Sequence, residues 1–218
     1  MRKIYLVRHA RPDTGPDGRL VCLGRTDVPL SGEGIMQARQ LAAFFKDKKP
    51  AAVYTSTLLR CKQTAEILVE GLRHTQPAVR PVEDFCEVDS GLWDGMEFER
   101  IREEYPEEYE ARSKAPGRFV IPGGESLEMA GERFMSAFMR MNHRGNPDIP
   151  FDDPALFPPE GDILIVAHSG VLQAFLCLLT GKDIDSFWDY YLPYASVTVL
   201  TQDKPGEMPS LESFGVIP

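Results

Sequence analysis

The chain has 218 residues, of which 43% are hydrophobic, 10% aromatic and 26% charged. That length fits one large domain, and the apolar share supplies a core that the depleted composition of disordered chains lacks. The formal charge of −9, from 33 acidic against 24 basic residues, opposes broad attraction to nucleic acid or an anionic membrane, so any anionic ligand must be held by local cations.

Residues 3–7 (KIYLV) form a short apolar, β-branched and aromatic run, as expected of an inner strand covered on both faces. Its four apolar residues are too few for a signal-peptide core, so secretion is not expected. The run delivers Arg8 and His9 at its carboxyl end. After a loop marked by Gly, Pro and Asp, Ser31 caps a helix with apolar Ile35, Ala38, Leu41, Ala42 and Phe45, which Pro50 ends. Residues 51–54 read as a second strand. Leu58, Ala65, Leu68, Val69 and Leu72 then mark a helix from about Thr57, with Arg60 in its first turn.

Residues 79–88 read as extended and residues 97–105 as a short helix. Leu127, Ala130, Phe134, Ala137, Phe138 and Met141 give residues 126–141 a helical period. Residues 162–167 are the strongest inner strand, followed by a helix over 170–180 and a β-branched final strand over 196–201. The apolar stretch 163–179 resembles a membrane span, but His168, Ser169, Gly170 and Gln173 interrupt it. Residues 145–161, with five prolines, read as an inserted loop, and the chain from Gln202, with Pro205, Pro209 and Pro218, as an irregular tail.

Strands alternating with helices imply an α/β fold. The expectation is one domain, a three-layer αβα sandwich with a mostly parallel central sheet and helices on both faces. Ligands bind such sheets beyond the carboxyl ends of the strands, where His9, Ser56 and His168 all fall. The four cysteines, Cys22, Cys61, Cys86 and Cys177, are dispersed with no CxxC pair, as befits idle thiols of a reducing, cytoplasmic setting.

Arg8 and His9, Arg60 and His168 stand in stretches that resemble the histidine phosphatase superfamily, the phosphoglycerate mutase-like family. The phosphoryl transfer that this resemblance implies makes sense of the residue types: permanently charged, planar guanidinium groups stabilise the charge spread over phosphoryl oxygens, neutral imidazole attacks phosphorus, and a carboxyl group protonates the departing oxygen. The matching stretches are Leu6-Val7-Arg8-His9-Ala10, Gly24-Arg25-Thr26-Asp27-Val28-Pro29-Leu30-Ser31 with Gly34 and Gln37-Ala38, and Ser56 to Arg60 with Gln63-Thr64-Ala65. They continue in Glu87 to Gly95, Gly123-Gly124-Glu125-Ser126 and Val166-Ala167-His168-Ser169-Gly170. The branch they resemble holds α-ribazole phosphatases and broad-specificity phosphomonoesterases.

That resemblance implies a nucleophile, His9, which forms a phosphohistidine; a second histidine, His168; phosphate-binding Arg8 and Arg60; and a proton carrier, Glu87, with Asp89 as the fallback. It adds Leu23, Gly24 and Ser169 as substrate contacts. The implied ligand is a small phosphate monoester, with no metal or cofactor, no nucleic acid and no membrane partner, and with monomer and homodimer both open. Ala10 stands where the family motif has glycine, Arg11 and Pro12 replace its next residues, and Gly15 stands where many members have asparagine, so one phosphate ligand is missing and Arg11 either replaces it or selects an extra acidic group on the substrate. His74 and His143 fall outside every motif. Tyr105, Tyr109 and Phe119, in the variable segment, read as packing residues.

A mutase uses the same groups but returns the phosphoryl to substrate, and a binding member of the fold would have lost turnover. A metal hydrolase built on His9, His168, Asp27 and Glu87 lacks any local ligand spacing, and no GxxxxGK[ST] or GxGxxG loop is present.

Overall fold

The computed structural model describes residues 1–15, 20–142 and 156–218. Its centre is a six-stranded sheet in the order β3-β2-β4-β1-β5-β6. The strands are β1 (Arg2–Arg8), β2 (Pro50–Ser56), β3 (Val79–Val82), β4 (Asp162–Ala167), β5 (Val197–Gln202) and β6 (Ser210–Val216). β3, β2, β4 and β1 run parallel, whereas β5 is antiparallel to both β1 and β6. The sheet is therefore mixed but mostly parallel, as expected.

Alternation along the inner strands sends successive side chains to opposite faces. Tyr5, Val7, Val53, Leu164 and Val166 face α1 (Gly32–Phe45) and α2 (Leu59–Glu70), where Leu41, Phe45, Ala65 and Leu68 close the layer. Ile4, Leu6, Ile163 and Ile165 face the other way, against α5 (Leu127–Asn142) and α6 (Ser169–Thr180), where Phe134, Phe138 and Phe175 pack together. Residues 171–177 of α6 are all buried, so the membrane-like stretch is a strand feeding a helix that is covered on every side. Among the described residues no helix is long and apolar enough to cross a membrane.

One reading needs correction. The chain from Gln202 is not irregular throughout: β6 forms the outer strand, with alternate residues half-buried on β5. Most of the proline-rich loop lies outside the described residues, but Leu156 and Phe157 at its end are core. Tyr54 Oη donates to the Leu156 carbonyl at 2.7 Å and its ring meets Phe157 at 5.3 Å. The short helix expected over 97–105 is α3 (Phe98–Glu104), and a second, unexpected one, α4 (Pro106–Lys114), follows it, because Pro106 breaks one helix and starts the next at its first position.

Candidate active site

β1, β4 and β2 end side by side, bringing together His9, His168 and Ser56. The His9 backbone N–H donates to the Ala167 carbonyl at 2.9 Å, and the His9 and His168 rings meet edge to face at 5.0 Å between centroids. Nδ1 of His9 lies 2.7 Å from the Ala10 carbonyl. A carbonyl only accepts, so Nδ1 carries the proton and Nε2 keeps its lone pair. Burial, followed by the charges of Arg60 and Arg8, holds the His9 pKa well below 6.5, so the ring is neutral near neutral pH.

Arg8 places its guanidinium 3.8 Å over the Tyr194 ring and donates through Nη1 to the Leu192 carbonyl at 2.6 Å, while its buried Nε has no acceptor among the described residues. Ala195 follows in the left-handed region, at φ 57°, and its N–H donates to the His9 carbonyl at 3.3 Å. Tyr194, Leu192 and Ala195 carry no motif, and sequence reasoning missed them.

Arg60 is fully buried. Its Nε donates to Nδ1 of His168 at 3.2 Å, Nη1 to the Thr26 carbonyl at 2.9 Å and Nη2 to the Gly24 carbonyl at 2.8 Å. The stretch around Gly24 to Ser31 is thus a clamp for this arginine. Asp27 accepts from the Leu59 N–H at the start of α2, Gln63 from Leu30, and both carboxyl oxygens of Asp94 accept from the N–H groups of Gly24 and Thr26. Gly24 was expected to touch substrate. With its N–H and carbonyl both committed, it supports Arg60 instead, and Asp27 caps a helix rather than offering a metal ligand.

Because Nδ1 of His168 accepts from Arg60, the ring proton sits on Nε2, which lies 2.8 Å from Ser56 Oγ; Cys61 Sγ is 3.3 Å away. Burial, then Arg60, His9 and Arg8, depresses the His168 pKa well below 6.5. The helix α6 begins beside it, and its first amides hold Glu87: Gly170 N donates to Oε2 at 3.1 Å and Val171 N to Oε1 at 2.9 Å. Glu87 Oε1 also accepts from Val88 N at 2.9 Å. A Cβ on Gly170 would lie 2.7 Å from that oxygen, so glycine is needed where the carboxylate approaches. Arg133 of α5 fixes the segment bearing Glu87, donating to the carbonyls of Asp84, Cys86 and Glu87 and to Glu125.

A cleft of about 290 Å³ opens beside this cluster. Arg8, Leu23, Glu87, Ser169 and Gly170 line it together with apolar Trp93, Phe119 and Trp188. Leu23 and Ser169 are two of the residues expected as substrate contacts. Phe119 lines the cleft as well as packing, stacked on Trp93 at 5.7 Å. Asp89 is bound into the loop by Gly91 N and Glu125 N and does not line the cleft; of the two carboxyl groups that do, Glu125 is held by Arg133 at 2.6 Å and Glu87 by backbone amides. Arg11 pairs with Glu33 at 2.8 Å on the surface and replaces nothing in the cluster, and Gly15 is exposed with its N–H on Asp13. His74 lies on the surface near Asp47, and His143 lies outside the described residues. All four cysteines are free; Cys61 and Cys86 pack against the site and Cys22 lines the cleft. Among the described residues no three His, Cys, Asp or Glu side chains gather as a metal set.

The model of the histidine phosphatase superfamily, branch 1, matches residues 4–213. The chain belongs to this superfamily. Within it, the chain is 28% identical over 204 residues to phosphoserine phosphatase 1 of Hydrogenobacter thermophilus, covering 94% of this chain and 88% of that one. It is 32% identical over 183 residues to the uncharacterized phosphatase PhoE of Bacillus subtilis, covering 84% and 80%. The α-ribazole phosphatase of Shigella flexneri shares the fold, with a TM-score of 0.78 at 22% identity over 98% of this chain and 96% of that one.

Proposed function

We propose that this protein is a phosphomonoesterase that passes the phosphoryl group of a small phosphorylated metabolite to His9 and then to water. The observation that carries the reading is the hydrogen bond from His9 Nδ1 to the Ala10 carbonyl, which leaves Nε2 unprotonated beside two arginines and a second imidazole. Nε2 attacks phosphorus while the P–O ester bond breaks, and Glu87 gives its proton to the departing oxygen. Glu87 then takes a proton from water, whose oxygen attacks phosphorus. The P–N bond breaks, and inorganic phosphate and neutral His9 are restored. The unpartnered Nε of Arg8 and the two N–H bonds that Arg60 does not spend on carbonyls or imidazole are the donors for the phosphoryl oxygens. His168, with Nδ1 on Arg60 and Nε2 on Ser56, serves this set by orienting Arg60. Relatives named as phosphatases support hydrolysis, and the free thiols fit a cytoplasmic setting.

Acid quenching and alkaline quenching of a rapid reaction with a labelled phosphomonoester test the reading. A phosphoenzyme stable in alkali and labile in acid is expected, with phosphate released in the absence of any bisphosphorylated cofactor. His9→Ala is expected to lower p-nitrophenyl phosphate hydrolysis by at least about 10³-fold, as loss of a nucleophile does elsewhere. Hydrolysis by His9→Ala at the wild-type rate would remove the proposal.

A further inference from the structure

The cleft that receives the leaving group on this reading carries four charged side chains: Arg8, Glu87, Arg112 and Glu125. Three are committed. Arg8 is held by Leu192 and Tyr194, Glu87 by three backbone amides, and Glu125 by Arg133 at 2.6 Å and by the Asp89 N–H at 2.9 Å. Arg112, on α4, is not: among the described residues it has no ion pair, no hydrogen bond and no ring contact. The acidic residue one turn before it, Glu108, does not bridge to it, and Glu110 pairs instead with Lys114 at 2.7 Å. A half-buried guanidinium thus faces an apolar cleft with its donors unspent.

We infer that Arg112 binds a carboxylate on the leaving group, so that the preferred substrate is a phosphomonoester of an apolar or aromatic alcohol bearing a carboxylate. The argument has three parts. The walls, including Trp93, Phe98, Phe119 and Trp188, suit an apolar body that excludes water from the ion pair and strengthens it. The planar fork of the guanidinium matches the two oxygens of a carboxylate. One unpaired cation balances one negative charge, whereas a second phosphate dianion at that end of the cleft would need another. On the proposed reading Arg8 and Arg60, beside His9 and His168, hold the phosphoryl group, so Arg112 selects substrates without taking part in the bond changes.

The inference rests on the proposed phosphatase activity, and one experiment separates the two. Hydrolysis of 4-carboxyphenyl phosphate and of 3-carboxyphenyl phosphate is compared with that of the neutral carbamoyl counterpart of each, in wild type, Arg112→Ala, Arg112→Lys and Arg112→Glu. The readout is the ratio of kcat/KM for acid over amide, which is internal to each variant and cancels the amount of folded protein, while its change between variants cancels the intrinsic reactivity of the esters. For at least one carboxylate ester the ratio is expected to be about tenfold higher in wild type than in Arg112→Ala, the low end for a hydrogen bond to a charged group. It should lie between the two in Arg112→Lys and fall below the Arg112→Ala value in Arg112→Glu. An equal ratio in wild type and Arg112→Ala overturns the role of Arg112. No hydrolysis of any ester above the level of His9→Ala would instead overturn the phosphatase reading on which it stands.

Discussion

Stability should fall steeply as the solution is made mildly acidic, through the two imidazoles alone. His9 and His168 are buried, and burial with neighbouring arginines depresses both pKa values well below 6.5. Below pH 6.5 the unfolded chain takes up two protons that the native state refuses. The unfolded state therefore binds more protons, and unfolding free energy rises with pH. The stabilisation is complete above 6.5 and is lost as pH drops from 6.5 through the folded-state values. With a reference pKa of about 6.5, proton uptake stabilises the unfolded chain by about 1.4 kcal/mol per ring between pH 7.5 and 5.5, so the loss is bounded at about 2.7 kcal/mol for the pair. Urea unfolding in phosphate-free buffer at the two pH values measures this. His9→Asn and His168→Asn should each reduce the loss, by up to about 1.4 kcal/mol, whatever their effect at pH 7.5. A loss unchanged in both variants would refute the reasoning, because surface groups would then account for all of it.

Arg60→Lys keeps the charge but lets one nitrogen replace three bonded ones, so about two of the hydrogen bonds to His168, Gly24 and Thr26 disappear. At about 1 to 1.5 kcal/mol each, urea unfolding should show a loss of about 2 to 3 kcal/mol; a change below about 0.5 kcal/mol would contradict the clamp. Tyr194→Ala removes the ring beneath Arg8, and kcat/KM for p-nitrophenyl phosphate should drop by roughly 3- to 30-fold on a cation–π contact of about 0.5 to 2 kcal/mol. Tyr194→Phe, which keeps the ring, should restore most of it. Gly124→Ala would put a Cβ 2.2 Å from the Asp89 carbonyl oxygen and 2.7 Å from Gly91 N, and overpacking of this kind costs about 1 to 3 kcal/mol. Its Tm should fall by at least about 2 °C, and an unchanged Tm would mean that the 89–91 turn yields freely.

The inner strands and amphipathic helices were legible because burial imposes a pattern: β4 has the bounds read from its apolar run, and Ser31 accepts from Gly34 N as a cap should. β6 was not legible. As an outer strand it buries one face only, and its SLESFGV sequence lacks the continuous apolar run that marked the inner strands. α4 escaped because none of its residues is buried, so no apolar stripe marks it. At the site, His9, Arg8, Arg60, His168 and Glu87 were found through their motifs, and the cluster and cleft place them together. What the motifs do not disclose is the division of labour within them. Gly24, Asp27 and Asp94 are spent on positioning, and only the three-dimensional partners reveal that. Tyr194 and Arg112 carry no local signature. Each is defined by what lies opposite it, or by what does not.

α6 holds Glu87 on its first amides and follows directly from His168. A rocking of that helix would carry carboxylate and imidazole in step, so their spacing survives breathing of the molecule. Phe98 and Arg112 of the cleft lining come from α3 and α4 instead. On the proposed reading, exchanges at those two positions would alter the fit of the leaving group while carboxylate and imidazole keep their spacing.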